Sequence, residues 1–377
     1  MNEPPLIIFF LSVDWFFCSH FIERAIAAQK AGYRVLIICN VDRHAAVIEA
    51  ASLRLIAIPI NRRSLNPFAA LLTLARVYQV YRREKPTLVH QVALKPILLG
   101  SVASWLAGVP GTLNAIVGGG YLFNSPRMLI KAIRPFLINA LGFLLQRRGS
   151  WTVFENADDL QEFRREGLVA ASHSVLIRGA GVEPGDYPRS TLAAAPPLVV
   201  VTARLLWDKG IHEFVEAARM LRRQGVKARF VIVGDPDSAN RACIDTATLD
   251  AWKEEGIVEL WGFRSDIPKI LAEASIACLP SYREGLPKSL LEAMAAGLPC
   301  VTTDVPGCRE AVRDGDNGLL VPARDAQKLA AALERLLSNP ALAKKMGQRG
   351  RERLEQEFSA LHVNESTLAL YRKILSE

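Results

Sequence analysis

Short apolar runs alternate with helix-like stretches along most of this chain, and that alternation limits its fold more than any other feature. In the first half "LIIFFLSV" (6–13), "HFIERAIAAQKAG", "YRVLIICNV", "LRLIAIPI", a helical stretch near 67–84 and "TLVHQVA" follow one another. Such an order points to a parallel sheet whose strands are joined by crossover helices. A second series runs "VVVTA", helix, "ARFVIVG", helix, "IVELWG", helix, "ASIACLP", helix, "PCVTTD" and "GLLVP". Between the two lies "GVEPGDYPRSTLAAAPP" (181–197), rich in Pro, Gly and Ala, which reads as a linker. At 377 residues the chain exceeds the usual size of one core, so two domains are expected. The expected class is α/β, two doubly wound Rossmann-like domains facing a central cleft into which the strand C-terminal ends bring their loops. The expected bounds are 1–185, 186–357, and 358–377 for a C-terminal helix packing back on the first domain.

Half of the residues are apolar and 22% are charged, which excludes a disordered chain. The six cysteines have no paired CxxC spacing and three sit in or beside apolar runs, so free thiols in a reducing cytosol are expected. "LIIFFLSV" is too short to span a bilayer and lacks a basic leader, and it reads as a first buried strand.

The charge is uneven. Up to Arg189 there are 21 basic and 13 acidic residues, and beyond it 25 of each; from Arg54 to Arg148 there are 13 Lys or Arg and one acidic residue, Glu84. A basic first half suits nucleic acid, anionic lipid or a polyanionic substrate. It has no zinc spacing, RNP-like aromatic run or helix-turn-helix pattern, so nucleic acid is not expected as a partner. "RMLIKAIRPFLINALGFLLQRR" (127–148) carries an apolar core of eleven residues, which suits lying on a membrane better than crossing it. It reads equally as a buried helix with solvated basic ends.

The stretch "EGLPKSLLEAMAAGLPCV" contains a helix with Pro287 at its start and Gly297 and Pro299 at its stop. Leu290, Leu291 and Met294 form one apolar arc, and Glu292 lies opposite it, away from the core. The amides near Ser289 and Leu290 suit a diphosphate, because a helix start concentrates N–H groups and partial positive charge. Glu284 and Glu292 would then bracket a nucleotide sugar. On spacing alone, Glu284 also reads as a favourable charge near a helix start and Glu292 as a solvated residue. In "VVVTARLLWDKGIHEFVEAA", Arg204 and Lys209 occupy a strand-to-helix loop where two cations suit a leaving diphosphate. Taken alone they read equally as surface charge.

Together these stretches resemble glycosyltransferase family 4, the retaining GT-B enzymes. The resemblance implies that Arg204 and Lys209 hold phosphates, Glu292 the ribose and Glu284 the transferred sugar, with Lys288, Ser289 and Leu290 at the helix start. "VIVGD" (231–235) also matches, which brings in Gly234, as do "LWGFRSDIPKIL" (260–271), with Phe263 and Arg264 near the base, and "GCREAVRDGDNGLLVP" (307–322). The first half looks like the bacterial branch that extends sugars on a polyprenyl diphosphate, through "SVDWFFCSHFIERAIAAQKAGYRV", "RRSLNP", "HQVALKPILLGSVASWLAGVPGTLNAIVGGGYLF" and "VFENADD". The resemblance implies a UDP-sugar donor, a lipid-linked acceptor, and a peripheral place on the inner face of the cell membrane, whose anionic surface the basic first half would meet.

One position departs from the pattern. Many members carry a His just before the Gly-containing loop, and "NAIVGGG" has Val117 there. Candidates for an acceptor or sugar pocket are Asp14, His20, His90, Lys95, Gly118, Gly119 and Gly120. Each histidine reads equally as a structural hydrogen-bonding residue, Lys95 as a solvated loop residue and the glycines as a turn. "DPD" (235–237) looks like a metal-binding pair, but Asp and Pro also form turns. No cofactor and no essential metal are expected, since the resemblance assigns the metal's work to cations and a helix start. The leading expectation is transfer of an N-acetylhexosamine from a UDP donor to a polyprenyl-diphosphate-linked saccharide in surface polysaccharide or glycan assembly. The alternatives are a non-hydrolysing UDP-sugar epimerase and a nucleotide-sugar or lipid-binding scaffold without turnover.

Overall fold

A computed structural model describes residues 3–60, 66–118, 128–191, 195–238 and 240–377, with side chains of the helix that begins at 128 described from 135 onward. The chain divides into two compact units, Met1–Ala180 with Val363–Glu377, and Gly181–His362.

In the first unit the apolar runs become β1 (Leu6–Phe10), β2 (Arg34–Cys39), β3 (Arg54–Ala57), β4 (Leu88–Val92), β5 (Gly111–Ile116), β6 (Ser150–Phe154) and β7 (Ser174–Leu176). They form a parallel sheet in the order β3-β2-β1-β4-β5-β6-β7. The strand order reverses between β1 and β4, so the loops leaving those two strands diverge and open a crevice at the carboxyl edge. Residues of β1 are buried on both faces, Ile7 and Phe9 toward one cluster and Ile8 and Phe10 toward the other. Helices α1 (Asp14–His20), α2 (Ile22–Lys30), α3 (Ala45–Ala50), α4 (Pro67–Glu84), α5 (Leu94–Ala107), α6 (Met128–Leu145) and α7 (Ala157–Arg165) connect the strands. Local chemistry sets their starts: Asn66 caps α4 through the Phe68 amide with Pro67 in the first turn, and Asn156 caps α7 through the Asp159 amide.

In the second unit β8 (Leu198–Thr202), β9 (Arg229–Val233), β10 (Glu259–Leu260), β11 (Ile276–Leu279), β12 (Cys300–Thr303) and β13 (Gly318–Val321) form a second parallel sheet in the order β10-β9-β8-β11-β12-β13. Its reversal lies between β8 and β11. The intervening helices are α8 (Ile211–Arg223), α9 (Thr246–Glu255), α10 (Ile267–Glu273), α11 (Lys288–Ala295), α12 (Cys308–Ala311), α13 (Ala326–Leu337) and α14 (Pro340–Arg353). Val199 and Val201 of β8 face a core completed by α8 and α13, while Leu198 and Val200 face one completed by α10 and α11. A strand covered on both faces is why "PLVVVT" reads as a continuous apolar run.

The last helix, α15 (Ala360–Ser376), contributes Val363, Leu370, Tyr371 and Ile374 to the first unit's core. Leu141, Leu144 and Leu145 of α6 are buried, whereas Phe136 and Phe143 are exposed. Among the described residues no helix is long and apolar enough to cross a membrane. All six cysteines are free thiols, four of them buried.

Candidate active site

The second unit's reversal point is built from two loops that the sequence holds in place tightly. After β8 the chain turns through Ala203, Arg204 and two buried leucines, Leu205 and Leu206, which anchor the loop so that Arg204 and Lys209 form its polar side. A single turn, Trp207–Lys209, ends at Gly210 with φ +68°, and α8 begins there. A Cβ at Gly210 would lie 2.0 Å from the Pro280 carbonyl oxygen, so only glycine lets this loop approach the end of β11. The Tyr282 amide and the Ser281 hydroxyl both donate to the Asp208 carbonyl, at 2.9 and 3.0 Å. Tyr282 also donates its hydroxyl to Glu213 of α8 at 2.7 Å.

These ties bring Lys209 Nζ to 2.5 Å from Glu284 Oε1, across the reversal point. The side chains are 19% and 11% exposed, so the pair is sheltered from bulk water yet reachable. Glu284 is backed by Gly307, whose backbone approaches so closely that a Cβ there would meet the Gly285 carbonyl at 2.3 Å. Behind the pair, burial and then the nearby Glu284 push the Cys308 thiol up to about 12, so it acts as an inert apolar filler.

A third loop joins from β9. Gly234 lies against the Ala203 carbonyl, and its amide donates to Gly262 at 2.9 Å. Asp235 accepts from the Phe263 amide at 2.9 Å, and Asp237 pairs with Arg204 Nη1 at 2.6 Å. The "DPD" carboxylates therefore hold the loop at Phe263 and the Arg204 guanidinium. Phe263 itself is exposed, and Arg264 forms a two-pronged pair with Asp266 at 2.7 and 2.6 Å.

At α11, Pro287 occupies the cap, one residue earlier than its expected place inside the helix. The structure corrects Leu290 as a phosphate amide: its N–H donates to the Pro287 carbonyl at 3.0 Å and its side chain is buried in the core. A tightened first turn engages that amide. Glu292 is less open than a solvated helix face implies. It bonds the Tyr187 hydroxyl and lies 3.5 Å from Lys288, and burial raises its carboxyl above the ordinary value of 4.5 against the opposing pull of Lys288 and Tyr187. Tyr187 had no motif to mark it; its only sequence signal is an aromatic residue inside the Pro/Gly-rich linker.

In the first unit two pocket candidates are corrected. Asp14 is fully buried, and its Oδ2 accepts the Asp42, Arg43 and His44 amides at 2.8, 3.0 and 2.8 Å. It holds the loop after β2, and its Oδ1 accepts the Trp15 amide at 2.7 Å. Burial tends to raise its carboxyl, but these N–H donors prevail and lower it. His90 lies inside the core between Phe9 and Phe21, with Nδ1 2.7 Å from the Tyr371 hydroxyl, and burial keeps it neutral. His20 is half-buried, stacked on Phe16 and bonded to Ser19. Lys95, in the first turn of α5, is half-buried, and burial lowers its pKa. Ahead of it Ala93 holds φ +72° and ψ 158°, a strained conformation at this sheet's reversal point that no motif marked. Gly118 has φ +74°, and Val117 packs against the core cluster around Phe17. Gly119 and Gly120 lie outside the described residues.

Asp14→Ala is expected to destabilise the protein by about 2–4 kcal/mol, since buried amides lose their acceptor. Because the folded carboxyl is lowered from 3.8, its contribution is complete above that value and disappears as pH falls through the folded one. Urea denaturation of both proteins across pH checks the sign.

Two cations, a carboxylate and a helix start around the reversal point of a parallel sheet are the chemistry of a site for a phosphorylated ligand. Residues 187–353 match the family described as Glycosyl transferases group 1, and residues 6–147 match Glycosyl transferase 4-like. The chain belongs to glycosyltransferase family 4 and has the GT-B fold of two Rossmann-like domains. It is 28% identical over 321 residues to the N,N'-diacetylbacillosaminyl-diphospho-undecaprenol alpha-1,3-N-acetylgalactosaminyltransferase of Campylobacter jejuni, spanning 82% of this chain and 83% of that protein. It is 34% identical over 338 residues to alpha-maltose-1-phosphate synthase of Mycobacterium tuberculosis, spanning 81% and 84%. Among solved structures, Anabaena Alr3699/HepE in complex with UDP and glucose superposes with a TM-score of 0.79 at 19% identity, covering 98% of this chain and all of that one.

Proposed function

We propose that this glycosyltransferase moves an N-acetylhexosamine from a UDP-sugar to a hydroxyl of a polyprenyl-diphosphate-linked saccharide, with retention of configuration, at the inner face of a bacterial membrane during polysaccharide or glycan assembly. The observation that carries the reading is the Lys209–Glu284 pair at the reversal point, flanked by Arg204 and the start of α11. As the bond from the anomeric carbon to the diphosphate breaks, negative charge grows on the departing oxygen. Lys209, Arg204 and the amides of Lys288 and Ser289 stabilise it. The acceptor oxygen forms the new bond on the face that the diphosphate leaves, and its proton passes to the leaving phosphate oxygen, so no enzyme nucleophile is needed. Glu284 orients Lys209 and meets the transferred sugar; Glu292 accepts ribose hydroxyls, and the exposed Phe263 ring offers a face to the base. The reading needs no metal, and both carboxylates of "DPD" are engaged, by Phe263 and Arg204.

The N-acetylgalactosaminyl transfer to a lipid diphosphate named for the Campylobacter relative supports this donor and acceptor class. Incubation of labelled UDP-sugars with lipid-linked acceptors tests it. Transfer into the lipid phase that persists in chelator is expected; transfer only to a sugar phosphate, or activity restored solely by a divalent cation, overturns it.

Glu292 adds a pH prediction. UDP binding should weaken as pH falls through its raised pKa, and so at a pH above 4.5, because the protonated carboxyl accepts hydroxyls poorly. Glu292→Gln should bind UDP more weakly at neutral pH and lose that acidic limb, as read by calorimetric titration.

A further inference from the structure

The exposed side of α6 and the end of α5 in the first unit carry large aromatic side chains, with the polar Asn139 between two of them. Phe136 and Phe143, seven residues apart on α6, are 76% and 61% exposed, while the opposite side of that helix is buried. Trp105, at the end of α5, is 52% exposed with its ring edge-on to Phe143 at 6.1 Å, and Leu106 beside it is 57% exposed. The Arg147 guanidinium lies over the Trp105 ring at 4.7 Å. Arg147 and Arg148 also line a hollow of about 900 Å³ whose other walls include Leu145, Pro110 and Ile374. Glu377 on that hollow is already engaged, by Trp151 Nε1 at 3.1 Å and His173 at 3.8 Å. Between Glu84 and Glu155 the chain has seven Lys or Arg and no Asp or Glu.

We infer that this face, Trp105, Leu106, Phe136 and Phe143 bordered by Arg147 and Arg148, is where the protein docks on an anionic lipid bilayer. Large exposed apolar side chains beside arginines, without acidic neighbours in the segment, complement a surface that is apolar within and negative at its headgroups. The aromatic rings would enter the interface while the guanidinium groups meet lipid phosphates. A membrane-spanning role for α6 is opposed by its buried side, which stays in the protein core. The inference rests on the proposed lipid-linked acceptor for its purpose, but the surface can be tested without any transfer reaction.

The experiment is co-sedimentation of the full chain with phosphatidylglycerol–phosphatidylcholine vesicles, and with phosphatidylcholine alone, at low and high salt. Binding to the anionic vesicles that weakens with salt is expected. The double variant Phe136→Ser/Phe143→Ser should lower partitioning about tenfold or more, and Arg147→Gln/Arg148→Gln should lower it about tenfold and flatten the salt dependence. Retained UDP affinity and an unchanged melting midpoint show that these variants are folded. A control, Phe68→Ser/Leu71→Ser on the exposed start of α4, should bind like the wild type. The inference is overturned if the wild type ignores anionic vesicles, if the aromatic variant binds unchanged, or if the α4 control alone loses binding. Concentration-dependent self-association that the aromatic variant abolishes, with no vesicle binding, would make the face a contact between copies and equally overturn it. Vesicle binding with no sugar transfer would instead count against the proposed function and leave this surface standing.

Discussion

Lys209→Ala is expected to lower kcat by about 10²- to 10³-fold, the usual cost of removing a preorganised donor from a developing negative charge. The residue sits in a short turn whose anchors, Leu205 and Leu206, the Asp208 carbonyl and Gly210, are all untouched by the substitution. The fold should therefore survive, with a loss of stability well below the loss of activity. Two effects combine at the site: the diphosphate loses a cation, and Glu284 loses the group that holds its carboxylate at 2.5 Å. Arg204→Ala should act in the same direction, with the Arg204–Asp237 pair lost. Steady-state transfer and thermal unfolding of the same preparations check this. Near-normal turnover in both variants would remove the phosphate role of this loop.

Gly210→Ala is expected to be among the most damaging single methyl additions in the site's loops, with Gly234→Ala, whose new Cβ would lie 1.9 Å from the Ala203 carbonyl oxygen. A residue with a Cβ at φ +68° costs about 1–2 kcal/mol, and here the new atom would also lie 2.0 Å from the Pro280 carbonyl. Because that obstacle is backbone, the loop after β8 must withdraw from the loop after β11, for a total loss of roughly 3–5 kcal/mol. The withdrawal would also part Lys209 from Glu284, so activity should fall with stability. Gly225→Ala separates the two costs: Gly225 has φ +81° but no atom within 4 Å of an added Cβ, and it should lose about 1 kcal/mol. Equal shifts in melting midpoint for the two variants would mean that the approach to Pro280 does not hold the loop.

Much of the fold was legible because its signals are local. An apolar run buried on both faces, such as "VVVTA", reads as a strand of a covered parallel sheet, and "NPFAALLTLARVYQVYRRE" displays its cap, its first-turn proline and its helical period in one stretch. The loop cations and the two glutamates could also be singled out, since a strand-to-helix turn and a helix start are local features. Their partners could not. Lys209 and Glu284 are 75 residues apart, and only the placement of β11 beside β8 makes them neighbours. Asp14 and His90 failed as pocket candidates for a related reason. A polar residue beside a strand looks the same in sequence whether it faces a ligand or, as here, backbone amides and a buried tyrosine.

Residue order marks two parallel α/β sheets and the cationic strand-to-helix loop, because periodicity and backbone conformation depend on near neighbours. Tertiary structure alone decided that Glu284 holds Lys209, that Tyr187 holds Glu292, and that the two apolar sides of α6 have different surroundings. Those outcomes depend on strand order and on the desolvation that follows from it, which are properties of the assembled sheet rather than of any segment within it.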